Sequence, residues 1–411
     1  MRIVHVTHRA WPVVGGSERY VQEIARRQAL EGHQVTILAT DAEELTALWD
    51  RRGKRLGPEV PTVHQGVRIR RLPVRPLPLG RVTFPALRWT TWLVGHLSTG
   101  GALALARFSP RVPALAEALR EAEADLLFAW NITLEGLTAA VVREARRRGV
   151  PWIAVPLLHL GRPRFYTMRH QRALLKRASA VLTPTPGERA FLVEQGLSPG
   201  QVHVISPGVD PAEGAEADGQ RFRRKYGLHG PLVVTLGALG YDKGTLHLLA
   251  AAQQLWRQGR TLTLALLGPQ QESVRRALNR LPEPQRAACL APGLVSEEEK
   301  WDALEAADVV ALPSRTESFG LVFLEAWLRG KPVIGARAGA VADVIRHGVD
   351  GLLVPFGDVE GLAEALRTLL DDPVQARTMG QRGREKVLQT YTWAHQYDRL
   401  RTVMEAVMEG R

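Results

Sequence analysis

A chain of 411 residues exceeds what one hydrophobic core usually organises, and its 45% hydrophobic and 23% scattered charged residues exclude a disordered or fibrous protein. A formal net charge of +12 implies attraction to something anionic: nucleic acid, an acidic membrane face or phosphorylated small molecules. One cysteine, Cys289, excludes a disulfide framework, and no Cys/His cluster has zinc-site spacing, so no metal is expected and a reducing cytoplasm fits best.

The chain opens as strand, glycine turn, helix and strand: IVHVTH, PVVGGS, ERYVQEIARRQALEG and QVTILAT. Pro12 breaks the first apolar run too early for a signal peptide. Tyr20, Val21, Ile24 and Ala25 recur at helical spacing, Ser17 is placed to cap the helix and Gly32 suits its end. Gly15 and Gly16 in the turn let a phosphate or an acceptor approach the backbone; a tight structural turn is the alternative. Glu18 and Arg19 open the helix and are expected to face solvent or a cleft.

Residues 73–112 are the least regular stretch. Arg88 and His96 interrupt its apolar run, which excludes a spanning helix. A buried helix pair is the first expectation; a cleft-bordering helix or one dipping into a membrane surface through Trp89, Trp92 and Leu93 are the others. DLLFAW, PWIAVPLL and AVLTPT then read as buried parallel strands. Asn131 follows the first of these and His159 the second, both as acceptor-side candidates at strand ends.

SPGVD near Ser206 reads as a hinge, with PAEGAEADGQ as a surface loop after it. PLVVTLGAL, TLTLALLG, DVVALPS, PVIGA and GLLVP form a second α/β series. The expected division is residues 1–205, residues 206–388 and a terminal amphipathic helix over 389–411, its apolar face set by Trp393, Tyr397, Leu400, Val403, Met404 and Val407. No nucleic-acid module is present in the sequence, so nucleic acid is not expected as a partner.

In the open α/β architecture, ligands sit at strand-to-helix turns. After DVVALPS the chain runs Arg315, Thr316, Glu317, Ser318, Phe319, Gly320 and into LVFLEAWLRG. Gly320 opens backbone N–H groups at the helix start to a diphosphate. Glu325 on an apolar helix is costly without a polar partner, a role that sugar hydroxyls fill; an ordinary exposed helix glutamate is the competing reading. Lys243 in YDKG follows a strand and opens a helix, within reach of a phosphate.

ESFGLVFLE, together with GGSERYVQEIARRQALEGHQVTI, SPGVD, DKGTLHLLAAA and the Tyr391-Thr-Trp393 helix, resembles the family-4 retaining glycosyltransferases of the GT-B fold, the glycosyl transferases group 1. The resemblance implies two doubly wound Rossmann-like domains facing across a cleft, with the terminal helix packed back on the first. It implies that Glu325 holds the ribose of a nucleoside diphosphate sugar. Glu317 with the backbone of Phe319, Gly320 and Leu321, and Ser318 beside them, would hold the sugar and phosphates; Lys243 would act as a metal-free electrostatic catalyst. Glu317 and His159 are carried as further catalytic candidates, Gly15, Gly16 and Val295 as donor contacts, the base being read near Pro292 to Val295. The implied reaction is retaining hexosyl transfer to a hydroxyl of a glycan, glycolipid or small molecule, in the cytoplasm or peripherally at the inner membrane face.

Two departures stand out. Where the family has an arginine after the strand glycine, this chain has Ala238, with Arg315 and Arg19 as positional substitutes; and Asp343 replaces a glycine-glycine loop and glutamate. These leave two alternatives: a nucleotide-sugar-binding protein with little transfer activity, or an epimerase on the same fold.

Overall fold

The computed structural model describes residues 1–13, 15–160, 166 and 168–410. Val14, inside the PVVGGS turn, lies outside them. The chain forms two compact units. The first takes residues up to Leu158, the described residues from Tyr166 to Ile205, and Tyr397 onward; the second takes His159, Leu160 and Ser206–Gln396.

The first unit holds strands β1 (Arg2–Val6), β2 (Gln34–Thr40), β3 (Val63–His64), β4 (Val67–Leu72), β5 (Leu126–Trp130), β6 (Trp152–Val155), β7 (Ala180–Thr183) and β8 (Val202–Val204). They lie in the order β3-β4-β2-β1-β5-β6-β7-β8, parallel except for the β3–β4 pair. The central strands β5, β6 and β7 are buried at every residue, which is why their sequences are unbroken apolar runs. Toward the edge, β4 alternates buried Val67 and Ile69 with exposed Arg68 and Arg70.

The second unit holds β9 (Leu232–Leu236), β10 (Thr263–Leu267), β11 (Cys289–Gly293), β12 (Val309–Leu312), β13 (Val333–Ala336) and β14 (Gly351–Val354), all parallel, in the order β11-β10-β9-β12-β13-β14. Leu232, Val234 and Leu236 of β9 face one apolar layer and Val233 the other, so the sheet is covered on both faces. Pro292 sits in β11, the edge strand, where the missing N–H breaks no inner ladder.

The SPGVD stretch is pinned rather than loose. Val209 N–H donates to Tyr391 O at 3.0 Å, Trp393 N–H to Val209 O at 3.1 Å, and Ser206 N–H to the Gln396 side chain at 2.7 Å. A Cβ on Gly208 would lie 2.7 Å from Trp393 N, so only glycine admits this crossing. The helix Trp393–Glu409 then continues into the first unit. There Tyr397 Oη donates to Glu31 at 2.9 Å, and Gln28 reaches Met404 Sδ at 3.5 Å.

Two local expectations are corrected. Ser17 does not cap its helix: Gly15 is the cap residue of Gly16–Leu30, and Ser17 Oγ donates to Glu18 at 2.8 Å. The 73–112 stretch does form two helices, Gly80–Leu97 and Thr99–Ala106, but the first is no buried member of a pair, since Trp89, Trp92, Leu93 and Leu97 are exposed.

Candidate active site

Strands β9 and β12 are neighbours at the point where the strand order of the second unit reverses, the place where ligands of open α/β sheets bind. The loop after β9 carries Lys243 and the loop after β12 carries Glu317. Adjacent strands therefore deliver both side chains to one spot, and Lys243 Nζ donates to Glu317 Oε1. Backbone contacts zip the loops together: Arg315 N–H donates to Asp242 O at 3.0 Å and Ser314 Oγ to the same oxygen at 3.1 Å.

Glycine makes this approach feasible. Gly244, at φ 71°, caps the helix Thr245–Arg257, and a Cβ there would meet Pro313 O at 2.1 Å. Gly320, at φ 88°, caps the helix Leu321–Leu328, and a Cβ there would meet the Phe323 ring at 2.6 Å. Both helix starts follow directly on the loops that carry Lys243 and Glu317; among their first N–H groups, Thr245 donates to Gly240 O at 3.2 Å and Phe323 to Gly320 O at 2.9 Å, while a helix start in general leaves N–H groups without an intrahelical acceptor. Phe319 is buried and meets Tyr391 edge-on at 5.5 Å, anchoring the loop between Ser318 and Gly320. Gly339 comes within 3.0 Å of Glu317 O, counted from the Cβ it lacks, so the segment leading to exposed Asp343 backs the same loop.

Glu325 is buried, not an exposed helix glutamate. Its protein partner is not legible in the sequence: Lys300 Nζ lies 2.9 Å from Glu325 Oε1 and 2.7 Å from Glu297 Oε2. The unbalanced carboxylate on an apolar helix was the signal that a cation had to be found, yet Lys300 lies in a run, EEEKW, that reads as a solvated helix. Val295 is half-buried against the core of this unit, just after edge strand β11.

Arg315, the positional substitute for the arginine absent at Ala238, stands two residues before Glu317 and is itself paired. Its Nε donates to Asp242 at 2.7 Å and its guanidinium lies 5.1 Å from the Tyr241 ring centre and 5.3 Å from that of Phe356. Ala238 itself is exposed. Arg19 belongs to the first unit.

In the first unit the two turn glycines separate. A Cβ on Gly15 would lie 2.2 Å from Glu18 Oε2, so a side chain there would have to displace the Glu18 carboxylate; a Cβ on Gly16 would meet nothing within 4 Å. Glu18, expected to face solvent or a cleft, is buried, with Arg9 Nη2 at 2.7 Å and His8 Nε2 at 3.3 Å. Burial alone would raise its pKa, but the His8 hydrogen bond, the charges of His8 and Arg9 and the Ser17 hydroxyl outweigh it and hold the carboxyl at about 2. Asn131 takes a left-handed φ of 65° at the end of β5, and its Oδ1 accepts from Thr133 N and Oγ1 at 3.2 and 2.6 Å. Leu157, two residues before half-buried His159, also has a positive φ of 50°, a conformation that costs a branched residue about 1–2 kcal/mol. Among the described residues no cluster of three or more His, Cys, Asp or Glu side chains has the arrangement to hold a metal ion.

Two family models match the chain: a glycosyl transferase 4-like domain over residues 15–208 and glycosyl transferases group 1 over residues 218–386. The alpha-maltose-1-phosphate synthase of Mycolicibacterium smegmatis is 30% identical over 242 residues, 55% of this chain and 62% of that protein. The D-inositol 3-phosphate glycosyltransferase of Corynebacterium efficiens is 34% identical over 238 residues, 54% of this chain and 55% of that protein. The match thus spans less than two thirds of either relative's own length. In fold, the chain is similar to Anabaena HepE in complex with UDP-glucose, with a TM-score of 0.74, 19% identity, and 99% of this chain and 100% of that one covered.

Proposed function

The chain belongs to the glycosyl transferases group 1 family, and from that premise we propose that it moves a hexosyl group from a nucleoside diphosphate sugar to an acceptor hydroxyl, with the anomeric configuration retained. The observation that carries this reading is the meeting of Lys243 and Glu317 between two helix starts. A diphosphate matches that arrangement: the Lys243 ammonium turns from Glu317 to the phosphates, and the N–H groups after Gly320 receive the remaining charge. Glu317 is thereby released to accept from sugar hydroxyls, with Ser318 and Leu321 beside it. Glu325, held by Lys300, is a preset acceptor for a ribose diol. The backbone from Pro292 to Val295 is the candidate reader of the base. The open space at Gly16 suits a close-lying phosphate or acceptor.

The bond from the anomeric carbon to the phosphate oxygen breaks, and the bond to the acceptor oxygen forms on the same face. The acceptor proton passes to the departing phosphate. Lys243 and the helix-start amides stabilise that leaving group electrostatically, a task that asks for no metal. His159 is carried as a contact to the reacting sugar and Asn131 as a contact to the acceptor. UDP-glucose bound by HepE makes UDP-sugars the first donors to try, and the sugar-phosphate and inositol-phosphate names of the relatives make phosphorylated sugars and polyols the first acceptors.

Release of nucleoside diphosphate from UDP-, GDP- and ADP-sugars tests the reading. Glu325→Ala is expected to raise donor KM about tenfold or more and Lys243→Ala to lower kcat by a similar factor, the value of a charge-assisted hydrogen bond. Unchanged kinetics in both variants would sink the assignment. The absent cation at Ala238, with Arg315 bound to Asp242, favours one second reading, a nucleotide-sugar-binding protein with little turnover. Binding without nucleoside diphosphate release against a broad acceptor panel would establish it, whereas an altered sugar formed without acceptor would indicate an epimerase.

A further inference from the structure

The helix Gly80–Leu97 is inverted relative to the usual amphipathic rule. Its mid-helix arginine points inward: Arg88 Nη1 lies 2.7 Å from both oxygens of Glu135, which is fully buried and also accepts from Gln171 at 3.0 Å. Phe84, Leu87 and Val94 are half-buried, Phe84 stacked on Trp49 at 4.8 Å, but several of the helix's other large apolar side chains point outward. Val82, Trp89, Leu93 and Leu97 follow one another at spacings of seven, four and four residues and form one exposed stripe, Leu97 at 84% and Trp89 at 64% exposure. Leu79 and Trp92 extend it on either side. The buried Arg88–Glu135 pair fixes the rotation of the helix, so the apolar stripe cannot roll inward without stranding two charges.

The charge around the stripe selects what covers it. Between Glu59 and Glu117 the sequence contains eight arginines and no acidic residue. Arg75, Arg107 and Arg111 are exposed, while Arg81, at the start of the helix, pairs with Asp50. A second copy docking through the same face would set this basic stretch against itself, because a two-fold interface is self-complementary. Exposed tryptophan and leucine on a helix in an acid-free, arginine-rich stretch, with exposed Arg169 donating from Nη1 to His96 O at 3.0 Å near the helix end, instead match the boundary layer of a bilayer with anionic headgroups.

We propose that the exposed face of the helix Gly80–Leu97 is a docking surface for an anionic lipid membrane. The helix lies along the surface, Trp89, Trp92, Leu93 and Leu97 enter the headgroup–acyl boundary, and the neighbouring arginines meet lipid phosphates. No helix among the described residues is long and apolar enough to cross a membrane. The proposal stands apart from the donor reading and can fail without it.

Cosedimentation of the full chain with vesicles tests it, using phosphatidylcholine alone and phosphatidylcholine mixed with phosphatidylglycerol. The chain is expected to bind the mixed vesicles, to release them as salt rises, and to leave the neutral ones in solution. The double substitution Leu93→Ser with Leu97→Ser is expected to weaken binding about tenfold or more. Leu30→Ser, an exposed apolar residue on another helix, is expected to change nothing. Brominated acyl chains should quench tryptophan fluorescence in the wild type and less in Trp89→Phe with Trp92→Phe, which reads insertion even where a serine variant folds poorly. Absence of binding to the mixed vesicles, equal binding by the double serine variant, or a lipid-free dimer that the same substitution disperses would each overturn the proposal.

Discussion

Replacing Lys300 by methionine leaves the Glu325 carboxylate buried without its ammonium partner. Removing one member of a buried pair costs about 3–5 kcal/mol, which urea denaturation should show, and the double variant with Glu325→Gln should regain most of it. If Lys300→Met is as stable as the wild type, Lys300 is not what balances Glu325. Gly320→Ala forces a Cβ into the Phe323 ring from a left-handed backbone, so a loss of about 1–3 kcal/mol in thermal or urea stability is expected. The glycine is thus required by the fold as well as suited to a ligand. Glu325 and Gly320 were legible as costly or permissive residues in the wrong place for an ordinary helix. Lys300 was not, because pairing between two helices depends on how they pack.

At the scale of elements, β1 and the helix Gly16–Leu30 are joined by a chain of polar groups. Trp130 Nε1 donates to His5 Nδ1 at 3.0 Å, and His5 Nε2 meets Gln28 Oε1 at 2.7 Å. Protonating Nδ1 would set two donors against each other. Burial lowers the His5 pKa from 6.5 to about 4, the Gln28 hydrogen bond opposing it in part. Between those values the unfolded chain binds the extra proton, so stability rises with pH and is lost as pH falls from 6.5 to 4, by about 3 kcal/mol. His5→Gln should flatten that limb of the stability curve; an unchanged slope would show that His5 is not its source. Glu18 acts lower: its contribution is present above its ordinary 4.5 and disappears as pH falls toward 2. The unbroken apolar strands of both sheets were readable directly. Strand β4, beside the edge and with arginines alternating, and the edge strands β8, with three residues, and β11, with a proline, were not, because strands at or next to a sheet edge carry little hydrophobic signal.

For the whole molecule, two largely parallel α/β sheets follow from alternation of short apolar strands with helical periodicity, whereas the passage of the terminal helix into the first unit was implied by the family resemblance alone. The tie between Val209 and the segment Tyr391–Trp393 did not show in the sequence, since it joins residues far apart through backbone groups alone. The outward face of the helix Gly80–Leu97 was legible only as an alternative, through Trp89, Trp92 and Leu93; the inward pairing of Arg88 with Glu135 was not legible. Lys243 in the second unit is proposed to receive a nucleoside diphosphate, and calorimetric titration with UDP, GDP and ADP measures that binding. At least one should bind the wild type, and Lys243→Ala should bind that nucleotide about tenfold or more weakly. Binding of none of the three, or equal affinity in the variant, would contradict the account.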